Sequence, residues 1–179
     1  MLDSLYRALE HIATWPIFGI ILVVFVLLVL GFRKRDHALG VGKDVKLLDG
    51  RMGGYTPEEV SDLMNKLGDR GRRIYGFTAI TLDLIFPFVC GALPVILLIW
   101  CWGRTDLLLL PVIAVIADLL ENSSVAYLAF SYKGKISPVA RIASLFTKIK
   151  WAFFISANLM ALLGVVHKIL RFIIPGFPA

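Results

Sequence analysis

Long apolar blocks alternate with short polar ones along this chain, and the blocks carry more information than any period inside them. Apolar runs cover about residues 15–32, 75–102, 107–130 and 151–166, the last reaching a little further. A bilayer core roughly 30 Å thick needs about 20 successive apolar residues at a rise of ~1.5 Å each. The pattern therefore predicts four transmembrane helices. The second is long enough to tilt, with Pro87 and Pro94 as kink points. Ahead of the first run, Leu2, Leu5, Leu9 and Ile12 recur at helical spacing, while Asp3, Arg7 and Glu10 lie elsewhere around the helix. That spacing predicts a short amphipathic helix on the membrane surface over 1–14. The basic cluster Arg33-Lys34-Arg35 follows the first run instead of preceding it, and no small-x-small site comes after it. The first run is thus expected to stay as an anchor and not to be cleaved.

The only sizeable polar stretch is 33–74. Within it, Thr56-Pro57-Glu58-Glu59 reads as a capping box with proline at the first helical position. Val60, Leu63, Met64 and Leu67 then form one apolar stripe, and Gly68 supplies a left-handed stop. These signals predict a short amphipathic helix over 57–67, its stripe resting on the bilayer or on the bundle.

Composition agrees with a membrane class. Of 179 residues, 58% are hydrophobic and 18% charged, against roughly 45–50% and 25% in a soluble domain. The length suits a single transmembrane domain over 1–179, with no room for a separate soluble catalytic unit. The net charge of +6 does not indicate nucleic acid, because the basic residues flank the apolar runs. The loop over 33–74 holds ten lysines and arginines, Lys43 among them, and the loop over 131–150 holds five. Only Arg7, Arg104, Lys168 and Arg171 lie on the other side. Fifteen against four predicts that both polar loops are cytoplasmic and both termini outside.

The candidate chemistry lies in residues that a bilayer should exclude. Asp83 falls in the second span, Asp118, Glu121 and Asn122 in the third, and Asn158 in the fourth. Each carboxylate at mid-bilayer costs about 2.5–3.5 kcal/mol, so these positions call for offsetting partners. Counted from the flanking aromatic residues, Asp83, Glu121, Asn122 and Asn158 share a depth of roughly 12 Å in the inner half of the membrane. Asp118, Glu121 and Asn122 are spaced i, i+3, i+4 and share one helix face. With the spans bounded as above, none contains a lysine or arginine to neutralise the three acids. The cluster is then expected to bind a cation or a lipid headgroup and to open toward the cytoplasmic leaflet. If a metal is involved, it is a divalent cation on Asp83, Asp118 and Glu121. Interhelical hydrogen bonding is the competing role. A second set, Arg70, Arg72, Arg73, Lys148 and Lys150, rims the cytoplasmic mouth, where such cations anchor the protein or bind a lipid phosphate.

Other motifs are lacking. His11, His37 and His167 have no metal-ligand spacing, and no Ser-His-Asp, CxxC or HExxH pattern occurs. Cys90 and Cys101, eleven residues apart in one helix, are separated by roughly 16 Å, too far for a disulfide.

Four segments taken in order, GYTPEEVSDLMNKLGDRGRRIY over 54–75, LDLIFP over 82–87, DLLEN over 118–122 and SLFTKIKW over 144–151, resemble a family of uncharacterised bacterial four-helix integral membrane proteins. The likeness covers roughly residues 45–160. It implies a multi-pass protein of the bacterial cytoplasmic (inner) membrane and supports four helices, and it implies no mechanism.

The expected fold is all-α: a polytopic four-helix transmembrane bundle with a short cytoplasmic amphipathic helix. Three functions are carried forward. The first is a binding protein for a cation or lipid headgroup. The second is a metal-dependent, lipid-modifying membrane enzyme, and the third is an oligomeric ion or proton pathway. The expected partners are membrane lipid and further copies of the chain.

Overall fold

A computed structural model of the chain describes residues 2–40 and 45–174. Lys43 of the basic count and the tail with Pro175, Gly176 and Pro178 lie outside the described residues, as do the side chains of Leu2, Asp3 and Leu5. Among the described residues six α-helices follow one another: α1 (Leu2–Ile12), α2 (Trp15–Leu39), α3 (Pro57–Ala79), α4 (Leu82–Trp102), α5 (Leu109–Ser131) and α6 (Val139–Ile173). Single tight turns, Leu48–Gly50 and Asp106–Leu108, precede α3 and α5. Four stretches of the described residues are long and apolar enough to cross a membrane: Trp15–Leu39, Pro57–Trp102, Asp106–Ser131 and Val139–Ile173. The chain is an all-α, multi-pass membrane protein built as a four-helix bundle.

Helices α5 and α6 form the most extensive seam, and α4 lies against both. Their facing sides share a seven-residue rhythm. On α5 it passes through Ala114, Asp118, Glu121, Val125 and Leu128, and on α6 through Ala143, Thr147, Lys150, Phe154, Ala157, Ala161 and Gly164. Small residues dominate the α6 side, and they let membrane helices approach closely where packing, not water, drives association. The principal contacts of α2 are with α4 and α3, through Phe25 and Phe32 on the ring of Phe86. Most of its surface faces outward.

The helices outrun the apolar blocks, and this changes the expected boundaries. The first does not stop near residue 32. It continues through Arg33-Lys34-Arg35 to Leu39, with Gly40 as its left-handed cap. The fourth is not confined to 151–166. Helix α6 has 35 residues, roughly 52 Å at ~1.5 Å each, so Lys148 and Lys150 lie inside it.

The second span is not continuous over 75–102 either. The chain breaks at Ile80–Thr81, where Thr81 leaves helical geometry (φ −122°, ψ −82°). The Thr78 and Thr81 hydroxyls donate to the carbonyls of Tyr75 and Phe77, at 2.9 and 2.8 Å. Side-chain donors thereby take over carbonyls that a continuing helix would have used. Asp83 consequently sits in the first turn of α4 instead of mid-helix.

The capping box forms with both of its reciprocal bonds. Val60, Leu63, Met64 and Leu67 are all buried against the bundle, among Val125, Ala129, Ala140 and Ala143. Gly68 ends the first helical stretch, as its place after the apolar stripe predicts. At φ +61°, ψ −179° it leaves the helix for one residue, and the chain then resumes helical geometry to Ala79. Arg72 ties the second stretch to the first across this break, its Nη1 donating to the Met64 carbonyl at 2.9 Å.

Candidate functional site

Four helices and one loop bring charged side chains to a common level. Asp83 comes from the first turn of α4, Asp118 and Glu121 from successive turns of α5, Lys150 from α6 and Arg35 from α2. The turn Leu48–Gly50 adds Asp49. Glu121 is fully buried, and Asp83, Arg35 and Lys150 are each more than nine-tenths buried.

Two ion-pair groups result. In the first, Arg35 Nη1 lies 3.2 Å from Asp49 Oδ2 and 3.5 Å from Asp83 Oδ2, while its Nε donates to Asp36 Oδ1 at 2.9 Å. The guanidinium also packs over the rings of Phe32 and Tyr75, 4.8 and 5.9 Å from their centroids. In the second, Lys150 Nζ lies 2.5 Å from Glu121 Oε2 and 3.3 Å from Asp118 Oδ1. The Thr147 hydroxyl is 2.8 Å from the other Glu121 oxygen. Asp49 links the two groups: its carboxylate faces Arg35, and its main-chain carbonyl accepts from Lys150 at 3.4 Å. Tyr75 holds this turn in place, its hydroxyl accepting from Leu48 N–H at 3.1 Å and donating to Asp49 Oδ1 at 3.3 Å. The Tyr55 N–H, donating to Ser144 Oγ at 2.9 Å, fixes the far end of the same loop.

The spans therefore do contain cations, contrary to the expectation from their apolar limits. Lys150 is not a member of the rim; it is the buried counter-ion of Asp118 and Glu121. Arg35, placed by the sequence among anchoring residues, is the counter-ion of Asp83. Arg70, Arg73 and Lys148 are exposed, and Arg72 is committed to Met64, to Asp69 and to the Tyr132 ring at 5.1 Å.

The asparagines differ from expectation as well. Asn122 is buried, but its amide donates at 2.6 Å to the main-chain carbonyl of Asp83. In a regular helix that carbonyl would accept from residue 87, and Pro87 has no N–H to give. Asn122 supplies the missing donor, which is a structural role. Asn158 is exposed, and its amide donates to the Phe154 carbonyl on its own helix at 2.8 Å. It lies eight residues, roughly 12 Å, along α6 from Lys150, and it also faces away, because one residue past the packed Ala157 turns about 100° around the helix.

Beside the two ion-pair groups lies a cavity of about 260 Å³ between α2, α4, α5 and α6. One end is charged, lined by Arg35, Asp49, Asp83, Asp118 and Lys150; the other is apolar, lined by Phe86, Cys90, Gly91, Val115 and Phe154. Trp151 also lines it, and the buried indole N–H of Trp151 has no hydrogen-bond partner among the described residues. Leaving aside the exposed Asp36, four carboxyls (Asp49, Asp83, Asp118, Glu121) face two cations (Arg35, Lys150), so the fully ionised cluster carries two negative charges in excess. Among the described residues no three His, Cys, Asp or Glu side chains are grouped as a metal's ligands. Asp83 turns instead to Arg35, and Asp118 and Glu121 share Lys150.

Comparison with protein-family models, with curated proteins and with solved structures finds no match in any of the three.

Proposed function

We propose that the protein is a lipid-binding protein of the bacterial inner membrane, which receives the headgroup of a membrane lipid in the charged cavity. The observation that carries this reading is the two-ended cavity itself: ionic groups at one end and aromatic and aliphatic groups at the other suit an amphiphile and no purely polar solute. Its volume falls just below the ~300–1,000 Å³ usual for small-molecule sites, which suits a headgroup and the start of its chain. The excess of carboxyls favours a headgroup that brings a positive charge, an amine-bearing zwitterionic lipid in preference to an anionic one. The unpartnered Trp151 N–H offers a donor to an ester or phosphate oxygen of the same headgroup. Carboxylates already held in ion pairs are better suited to electrostatic recognition than to metal-assisted hydrolysis. An ion pathway would need polar groups toward the α1 end, where the next cavity along α4 is lined by apolar side chains alone.

Native mass spectrometry of the protein in mild detergent tests the reading, with phosphatidylethanolamine and phosphatidylglycerol supplied in equal amounts. Wild type should retain the ethanolamine lipid about tenfold over the glycerol lipid. Asp118→Asn, which keeps shape but removes one charge, should lower that retention by roughly five- to tenfold, the scale of one charge-assisted hydrogen bond. Equal retention of the two lipids, or none above detergent background, would overturn the proposal.

The proposed orientation puts α3 in the cytoplasm and both termini outside, on the strength of the basic residues at the α3 end. Single cysteines at two exposed positions check it. A membrane-impermeant maleimide added to intact cells should label Asp106→Cys and spare Lys66→Cys until the cells are opened. The reverse pattern would invert the topology.

A further inference from the structure

A second cavity, of about 450 Å³, continues from the first toward α1. Its lining is wholly apolar, with Leu9 and Ile12 of α1, Ile17 of α2, Ala92 and Ile96 of α4 and Val112 of α5 among the contributors. The two cavities share Gly91 and Val115 as lining residues. Where they meet, the absence of a side chain on Gly91 leaves room for Val115: a Cβ at Gly91 would come within 2.5 Å of Val115 Cγ2. The cleft exists because α2 rests on α4 and α3 and so leaves α5 uncovered on this side. It runs along α4 from Asp83, at the charged end, to Ile96. Those 13 residues amount to roughly 20 Å at ~1.5 Å each, room for a headgroup at the charged end and for much of an acyl chain beyond it.

We infer that this groove holds an acyl chain of the same lipid whose headgroup occupies the charged cavity, so that the protein selects by chain length as well as by headgroup. The inference rests on the lipid-binding reading and adds the second half of the ligand. The continuity of the two cavities sets the occupant: anything entering the groove from the charged end must be apolar, narrow and attached to a polar head. A chain lying there touches α2, α4 and α5 at once, and burial of each methylene adds to retention.

The test compares dioctanoyl with dipalmitoyl phosphatidylethanolamine by native mass spectrometry, on wild type and on two variants that fill the far end of the groove from different walls, Val95→Trp and Ile17→Trp. Taking each variant against wild type removes the lipids' different partition into detergent. Both variants should lower dipalmitoyl retention about tenfold and leave dioctanoyl retention within about twofold, because the short chain ends before the filled section. Retained dioctanoyl binding also reports that the variant is folded, and either variant alone suffices if the other misfolds. An unchanged ratio of long to short lipid in both variants would overturn the inference and leave the headgroup reading standing. An unchanged ratio with a shift from dimer to monomer would overturn it in favour of a second copy in the groove. Loss of both lipids from both folded variants would overturn it too, marking the groove as structural. Wild type retaining neither lipid would instead remove the headgroup reading, and this one with it.

Discussion

Lys150→Met should destabilise the bundle by about 3–5 kcal/mol, the scale of removing one partner from a buried ion pair. Methionine keeps the length and most of the packing volume of lysine but leaves Asp118 and Glu121 without their cation. Glu121 is fully buried, so neither water nor a headgroup can replace the lost ammonium at its Oε2. The loss should be largely reversed in the triple variant Lys150→Met, Glu121→Gln, Asp118→Asn. There no charge remains, and the carboxamide introduced by Glu121→Gln can still meet the Thr147 hydroxyl. Replacing a whole buried ion pair by neutral groups is often close to neutral, in contrast with removing half of it. Unfolding of the purified protein by titration with denaturing detergent gives the ordering. If Lys150→Met alone matched wild type within about 0.5 kcal/mol, far below the cost of a stranded buried charge, the pair would not be holding α5 to α6.

Arg35→Met should have the second-largest effect, about 3 kcal/mol, by leaving Asp83 buried beside an unanchored Asp49. This variant carries a local signature that Lys150→Met lacks. Asp49 holds the loop over 45–56 to the bundle through Arg35 and Tyr75, so the loop should open, and trypsin should cut after Lys46 about tenfold faster than in wild type. Arg35→Lys should rescue little. A single ammonium cannot span Asp36, Asp49 and Asp83 as the guanidinium fork does, nor stack as well on Phe32. Unchanged cleavage in Arg35→Met would show that the loop is held without this contact.

The parts of the fold that the sequence makes legible are those governed by local chemistry or by bulk apolarity. The apolar blocks locate four spans, and the capping box at Thr56 and the stripe from Val60 to Leu67 locate the start of α3. Helix ends inside charged segments are harder to read, because hydropathy treats the first lysine or arginine as the edge of the membrane. The packing rhythm passes through those charges: Leu28, Arg35 and Leu39 lie on one buried face of α2, and Thr147, Lys150, Ala157 and Ala161 on one buried face of α6. That rhythm was the available signal for both counter-ions. Asn158 fails on both counts: because α6 begins well before Trp151, the cluster lies at Lys150, roughly 12 Å short of Asn158, and rotation turns Asn158 outward. The role of Asn122 could have been anticipated from Pro87, which must leave the carbonyl of Asp83 without its usual donor. Asp49 could not, because an irregular loop has no period to place its side chains.

The seam between α5 and α6 also bears on how the protein enters the membrane. Helix α5 by itself would carry two carboxylates into the bilayer, and α6 by itself a lysine, each unfavourable by about 2.5–3.5 kcal/mol. Joined by the short connection over 132–138, they bring opposite charges together at about the middle of α5. The hairpin, and not the single helix, is therefore the favourable unit of insertion, and α5 should wait for α6 before leaving the translocation machinery. The same charges set the alignment. A face of alanines and glycine repeating every seven residues would tolerate a slip of one repeat, but Lys150 meets Glu121 and Asp118 in only one register.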